Sequence, residues 1–204
     1  APIYNPNPDQ ILLSECFSNL EAAVQSKDEK TKMEFLKKGT DALKIFKLNT
    51  NDEESVEINA ELWYKYGIQY FSTNTIPNYK MALFCADNCV KTFTSADKIS
   101  TDLQKWYSVG FLLYGDTIYK LIDKEKQERE SQITLSFRAI DKLISSAKLA
   151  ERTKQFYIVL QAIKAFYSVV LLVIDQPQSR IMLIKKFEEF HRILTSNRVG
   201  ILYS

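Results

Sequence analysis

A short pattern that occurs twice constrains this chain more than any other feature of its sequence. Trp63-Tyr64-Lys65-Tyr66-Gly67 is followed 43 residues later by Trp106-Tyr107-Ser108-Val109-Gly110. Both copies lie in segments whose apolar residues recur at helical spacing. An internal period of this size is typical of arrays of stacked helix pairs. The pattern therefore predicts a helical-repeat protein. The alternative is a non-repetitive helical bundle in which two Trp–Gly registers coincide by chance.

The scarcity of turn residues favours helices along the whole chain. Glycine and proline occur five times each among 204 residues, whereas a β-sandwich or barrel of this length needs more of both. Short polar breaks between the apolar segments favour antiparallel neighbours. We expect an all-α domain over residues 9–196, with about eight helices in four antiparallel pairs. An extended arm over residues 1–8 precedes it, and a tail over residues 197–204 follows.

The repeated pattern resembles the tetratricopeptide (TPR) repeat. In a TPR a large residue of the first helix is followed one turn later by a small one, where the second helix crosses closely. Glycine inside a helix costs about 1 kcal/mol relative to alanine, so two glycines at one register indicate close backbone approach. The period is longer than the usual ~34 residues of a TPR. The resemblance implies a right-handed repeat array with these packing residues: Trp63, Gly67, Tyr79, Ala82, Trp106, Gly110 and Ala139.

A stacked array of this kind has a concave groove lined by its first helices. The predicted lining is aromatic and apolar, which suits an apolar helix of a partner protein. It lacks the Lys and Arg residues with which carboxylate-clamp TPRs recognise an acidic C-terminus. The alternative is that these rings belong to the core and are covered by a neighbouring helix of the same chain. The predicted lining residues are Glu61, Tyr64, Ile68, Phe71, Gln104, Tyr107, Phe111 and Tyr114.

The sequence offers little for catalysis or nucleic-acid binding. Phosphate loops of the GxxxxGKS type and the GxGxxG and GxSxG motifs are absent, and the aspartates are scattered. The only histidine, His191, is expected on a helix face. The formal net charge of +2 is not the strong basic excess typical of nucleic-acid binders. We therefore expect no catalytic residue, metal or cofactor. An RNA-binding helical repeat, or a small all-α enzyme, is the alternative.

The cysteines and the apolar segments bear on location. Cys85 and Cys89 share a helix face, and we interpret them as core thiols rather than half of a metal site. Reduced thiols fit an intracellular, cytoplasmic protein. The start of the chain lacks the pattern of a signal peptide. The most apolar segment, residues 155–174, is interrupted by polar residues, so we expect a buried helix and no membrane span.

The C-terminal part of the domain has a basic bias. Its functional interpretation is a surface for an acidic partner, and the alternative is a solvated helix face that Glu188 and Glu189 partly balance. The basic residues are Arg180, Lys185, Lys186, Arg192 and Arg198.

The order of segments also resembles the N-terminal region of one family, cilia- and flagella-associated protein forty-six. The likeness covers about residues 11–195 and is one of order and hydrophobic rhythm. It implies a TPR-containing scaffold of the central apparatus of the ciliary axoneme, with axonemal proteins as partners, although family members are far longer than this chain. It rests on Ala60-Glu61-Leu62-Trp63, Ala86-Asp87-Asn88-Cys89-Val90, Trp106–Leu121, Phe137–Ala150, Phe156-Tyr157-Ile158-Val159-Leu160 through Tyr167, and Arg192-Ile193-Leu194.

Overall fold

All regular structure in the described part of the chain is helical, as the sequence predicts. The computed structural model describes residues 7–196, so the predicted tail and most of the predicted arm lie outside it. Eight α-helices occur in this range, with one turn of 3₁₀ helix, Ala96–Lys98, before the fifth. The helices are α1 (Pro8–Gln25), α2 (Glu29–Ile45), α3 (Glu53–Phe71), α4 (Ile76–Val90), α5 (Thr101–Leu121), α6 (Arg129–Arg152), α7 (Phe156–Val170) and α8 (Pro177–Ser196).

Several helices begin where a polar side chain caps the first free N–H groups. Asp28 accepts a hydrogen bond from the backbone N–H of Thr31 at 2.8 Å, and Ser100 accepts one from that of Leu103 at 3.2 Å. The first helix starts before residue 9, which shortens the predicted arm. Proline suits the first helical turn because its φ is fixed and its N–H is missing, and the side chain of Asn7 caps that turn.

The turn after α6 brings the next helix back within three residues. Lys154 has a positive φ of 58°, in the left-handed region. The N–H of Gln155 donates to the carbonyl of Ala150 at 2.8 Å, and the N–H of Lys154 donates to that of Glu151 at 3.1 Å. These two bonds form a Schellman motif, which satisfies carbonyls at the end of α6.

The helices pack in a regular order along the chain. The pairs α1–α2, α3–α4 and α5–α6 make extensive contacts. From α3 onward, each odd-numbered helix also packs on the two helices before it: α3 on α1 and α2, α5 on α3 and α4, and α7 on α5 and α6. The last helix, α8, packs on α6. One continuous hydrophobic core results, from Cys16 in α1 to Ile193 in α8.

Two glycines occupy matching places where an odd helix meets the helix that follows it. A Cβ atom built on Gly67 would lie only 3.1 Å from the Cβ atom of Cys85 and 3.6 Å from the carbonyl oxygen of Ala82, both in α4. One built on Gly115 would lie 3.2 Å from the carbonyl oxygen of Ala139 in α6, and 2.6 Å from the side chain of Leu143. Both alanines are fully buried. Glycine therefore permits the close approach of α3 to α4 and of α5 to α6.

The structure corrects the register predicted for α5. Gly110 faces the preceding helix, because a Cβ atom there would lie 2.5 Å from the sulfur of Cys89 in α4. The counterpart of Gly67 is Gly115, 48 residues later, rather than Gly110, 43 residues later. The two tryptophans differ accordingly, since Trp63 is only 4% exposed whereas Trp106 is partly exposed.

Candidate interaction surface

The eight residues predicted to line a groove divide into two groups of four. The four from α3 are partly exposed on one side of the helix. The four from α5 are buried, with exposures between 1% and 8%. For α5 the structure thus matches the alternative interpretation, in which these side chains belong to the core. The buried residues are Gln104, Tyr107, Phe111 and Tyr114.

These buried side chains hold α5 against α4 and α6. The hydroxyl of Tyr107 is hydrogen-bonded to that of Thr92 at 2.6 Å. The hydroxyl of Tyr114 donates to the carboxylate of Asp87 in α4 at 3.0 Å and accepts a hydrogen bond from Arg138 in α6. The rings are therefore engaged within the chain and offer little surface to a partner.

The exposed side of α5 carries four other residues. Each of them lies five positions after one of the four predicted residues. This is the same shift that relates Gly110 to Gly115. The signal that could have located them is Phe111, which stands four residues before Gly115 as Trp63 stands four residues before Gly67. The partly exposed residues of this side are Val109, Leu112, Asp116 and Tyr119.

We call the partly exposed sides of α1, α3, α5 and α7 the odd-helix face. One cleft of this face, the α1–α3 cleft, has a volume of about 490 Å³. Phe17 and Val24 of α1 remain 43% and 59% exposed there, and they face Tyr64 and Ile68 of α3. The complete lining is Phe17, Leu20, Glu21, Val24, Gln25, Tyr64, Lys65, Ile68 and Gln69.

Farther along the odd-helix face, aromatic rings connect α3 to α5. The rings of Tyr64 and Trp106 lie 5.9 Å apart. The ammonium group of Lys65 lies 5.8 Å from the centre of the Trp106 ring and 2.5 Å from the carboxylate of Glu61. A second cleft lies here, between α3 and α5, and Glu57 lines it beside Tyr64 and Trp106. Burial raises the pKa of Glu57, and the neighbouring carboxylates of Asp102, Glu61 and Glu53 raise it further. This part of the face therefore combines apolar rings with a few paired charges.

A third cleft, of about 250 Å³, lies where α5 meets α7. Phe71 and Tyr119 supply its apolar part, and Asp116 supplies a carboxyl group. Burial raises the pKa of Asp116 to about 6, while the charge of Lys120 opposes the rise. Lys164 of α7 lines the same cleft. A carboxyl group of this kind changes its charge within the physiological pH range.

Tyr79 and the two cysteines of α4, which were also singled out in the sequence, are buried and pack inside the fold. Tyr79 is 6% exposed, its ring lies 5.3 Å from that of Phe71, and its hydroxyl donates to Asn74 at 2.9 Å. Cys85 and Cys89 are buried, and burial raises the pKa of both thiols.

Within residues 7–196, no three His, Cys, Asp or Glu side chains come together as a possible metal site. The helices of this range include none with the length and apolarity of a membrane span.

Comparison with protein-family models, with curated proteins and with solved structures finds no match to this chain. What this chain does must therefore be inferred from its own surface.

Proposed function

We propose that this chain is a non-catalytic scaffold that binds other proteins along its odd-helix face. In this proposal the fold is a TPR-like array of antiparallel helix pairs, and the ligand is an apolar helix of the partner. The observation that carries the proposal is the α1–α3 cleft, where large apolar side chains stand exposed beside polar neighbours. Such a groove suits the apolar stripe of an amphipathic helix.

The packing order supports the repeat interpretation. Each odd helix from α3 onward rests on the two before it, which is how stacked helix pairs bury the surface that one pair leaves exposed. The matching places of Gly67 and Gly115 add to this support, because each lets an odd helix approach the next helix closely.

Binding in the α1–α3 cleft would bury apolar side chains that water now contacts. Phe17 and Val24 are well suited as central contacts because they are large, apolar and exposed. Glu21, Lys65 and Gln69 also line the cleft, and polar groups of this kind would fix the register of a bound helix. For the assembly itself, we propose the axonemal central apparatus of motile cilia, on the strength of the family resemblance in the order of segments.

The experiment compares the partners of three tagged forms in the native cell. These are the wild type, a cleft variant with Phe17→Asp and Val24→Asp, and a control, Ile76→Asp, at a 54% exposed position of α4. Gentle crosslinking and mass spectrometry identify what each form binds, and circular dichroism verifies that each remains helical. We expect axonemal central-apparatus proteins with the wild type and the control, and their loss with the cleft variant.

Two outcomes would contradict parts of the proposal. Retention of the same partners by the folded cleft variant would show that the α1–α3 cleft does not bind them. Recovery of ribonucleoprotein components, or of no partner, would overturn the axonemal assignment.

A further inference from the structure

The second cleft of the odd-helix face, which we call the α3–α5 cleft, combines aromatic rings with charged groups. Its volume is about 380 Å³, within the range of about 300–1,000 Å³ that is typical of ligand sites in proteins. The cleft is therefore large enough to receive a side chain of another molecule. From α3 it is lined by Glu57 and Tyr64, and from α5 by Asp102, Lys105, Trp106 and Val109.

The charges of the α3–α5 cleft leave one carboxylate without a cation. The ammonium group of Lys105 pairs with the carboxylate of Asp102 at 2.8 Å. Beside the cleft, the ammonium group of Lys65 pairs with the carboxylate of Glu61. Glu57 forms no ion pair with a residue of the range 7–196, and the three charged groups of that range that act on it are all carboxylates. The α3–α5 cleft therefore has an unbalanced negative charge at Glu57.

Two aromatic rings lie beside this carboxylate. The rings of Tyr64 and Trp106 are 5.9 Å apart and inclined at 48°. Trp106 is adjacent to Glu57, since a hydrogen bond from its side chain opposes the rise in the pKa of that carboxyl group. Aromatic faces attract cations, and the ammonium group of Lys65, 5.8 Å from the centre of the Trp106 ring, is one such cation within the chain. The rings and the carboxylate together are the groups that bind an organic cation.

The combination of rings and carboxylate favours one class of cation over others. A divalent metal ion needs several oxygen ligands, and the part of the chain that the structure describes groups no three possible ligands. An arginine side chain suits both features, because its planar guanidinium stacks on aromatic faces and its N–H groups form a fork that pairs with a carboxylate. A lysine ammonium is a compact, strongly hydrated charge without that fork, so it would use the cleft less well.

The position of the cleft indicates where the arginine comes from. Tyr64 lines both the α1–α3 cleft and the α3–α5 cleft, so the two clefts are adjacent. A protein bound in the first cleft therefore has neighbouring residues within reach of the second. We infer that the α3–α5 cleft binds an arginine side chain of the partner protein, whose guanidinium pairs with Glu57 and packs on the rings of Trp106 and Tyr64. This inference rests on the proposed function, because it assigns a second contact to the same partner.

The test titrates the 204-residue chain with three capped tripeptides that have alanine at both ends. Their central residue is arginine, lysine or citrulline, the uncharged counterpart of arginine. The indole N–H signals in proton–nitrogen NMR spectra report binding, because Trp106 lines the cleft whereas Trp63 is only 4% exposed. We expect the arginine peptide to shift the signal of Trp106 and not that of Trp63. It should bind about tenfold more tightly than the citrulline peptide and about threefold more tightly than the lysine peptide.

Variants localise the binding. Glu57→Gln retains the shape of the side chain and removes its charge, so it should weaken binding of the arginine peptide about tenfold and leave the citrulline peptide nearly unaffected. The matched control is Glu34→Gln, at an exposed carboxylate of α2, and it should leave both affinities unchanged. Circular dichroism verifies that both variants remain helical. In the cellular comparison, Glu57→Gln should recover less of each wild-type partner, by about threefold or more.

Several results would overturn the inference. Equal affinity for the arginine and citrulline peptides would show that charge is not recognised, and tighter binding of the lysine peptide would exclude a preference for arginine. Binding that Glu57→Gln leaves intact would place the peptide elsewhere. Full recovery of the wild-type partners by Glu57→Gln would show that they do not use this contact. The titrations contain no partner protein, so their failure would leave the α1–α3 proposal standing, and failure of that proposal would not alter the titrations.

Discussion

At the scale of single residues, Asp116 links the odd-helix face to pH. Burial raises its pKa to about 6 in the folded chain, whereas an unfolded aspartate titrates near pH ~3.9. Between these values the folded chain binds more protons than the unfolded chain. The free energy of unfolding therefore falls as the pH rises through this window, and the loss is complete above about pH 7. The cations that line the cleft of Asp116 are Lys120 and Lys164, and the phenol ring of Tyr119 also lies there.

The substitution Asp116→Asn tests this effect. Asparagine is neutral at every pH, so we expect the variant to be more stable than the wild type by about 1–2 kcal/mol near pH ~7.5 and nearly equal to it near pH ~4. Urea unfolding followed by circular dichroism over a pH series measures the difference. Glu125→Gln, at an exposed loop carboxylate, serves as the control and should show no such dependence. A stability difference that stays constant with pH would show that Asp116 is ionised normally.

Single residues also show which parts of the surface can be predicted from the sequence and which cannot. The partly exposed side of α3 was predictable, because Tyr64 and Ile68 follow one helical stripe. The α5 side was not, since Trp106 and Gly110 repeat the letters of α3 but not its packing. Helical periodicity identifies the apolar stripe but does not say which neighbouring helix covers it. That depends on the close approach at Gly115, which only the three-dimensional arrangement reveals.

At the scale of helices, the turn after α6 contains an identifiable strain. Lys154 adopts a left-handed conformation with φ 58°, which costs a residue with a Cβ atom about 1 kcal/mol relative to glycine. We expect Lys154→Gly to raise the free energy of unfolding by up to about 1 kcal/mol, as measured by urea denaturation. Asn74→Gly is the matched comparison at φ 55°. It should give no gain in stability, because asparagine tolerates the left-handed region and its side-chain oxygen accepts a hydrogen bond from the hydroxyl of Tyr79. A loss of stability in Lys154→Gly would contradict the strain argument.

Helix ends were predictable wherever local chemistry determines them. The polar turn near Asp28 and the break near Ser100 act through capping hydrogen bonds within three residues. The helix α7 is shorter than predicted, since it ends at Val170 although apolar residues continue to Ile174. Hydrophobicity alone cannot locate that end, because the turns at 171–176 keep buried residues such as Val173.

At the scale of the whole molecule, stacking makes the stability of each part depend on its neighbours. Contacts between α5 and α6 are the most extensive of the fold, whereas α1 and α2 contact α3 much less. In a linear array, such a difference lets one end open while the rest remains folded. The hydroxyl of Tyr66 in α3 joins the two parts by donating to the backbone carbonyl of Cys16 at 2.6 Å, in a buried position.

Removing that hydroxyl should uncouple α1 and α2 from the rest of the array. A buried hydrogen bond contributes about 1 kcal/mol, so we expect Tyr66→Phe to accelerate amide hydrogen exchange in α1 and α2 about fivefold and to leave α5 and α6 unchanged. Tyr119→Phe, whose hydroxyl makes no hydrogen bond with a described residue, is the control. Equal acceleration in every helix would mean that the chain opens as a single unit. An effect confined to α1 and α2 would mean that the α1–α3 cleft lies at the boundary between two units of different stability. A partner helix bound in that cleft would then also stabilise the less stable unit, α1 and α2.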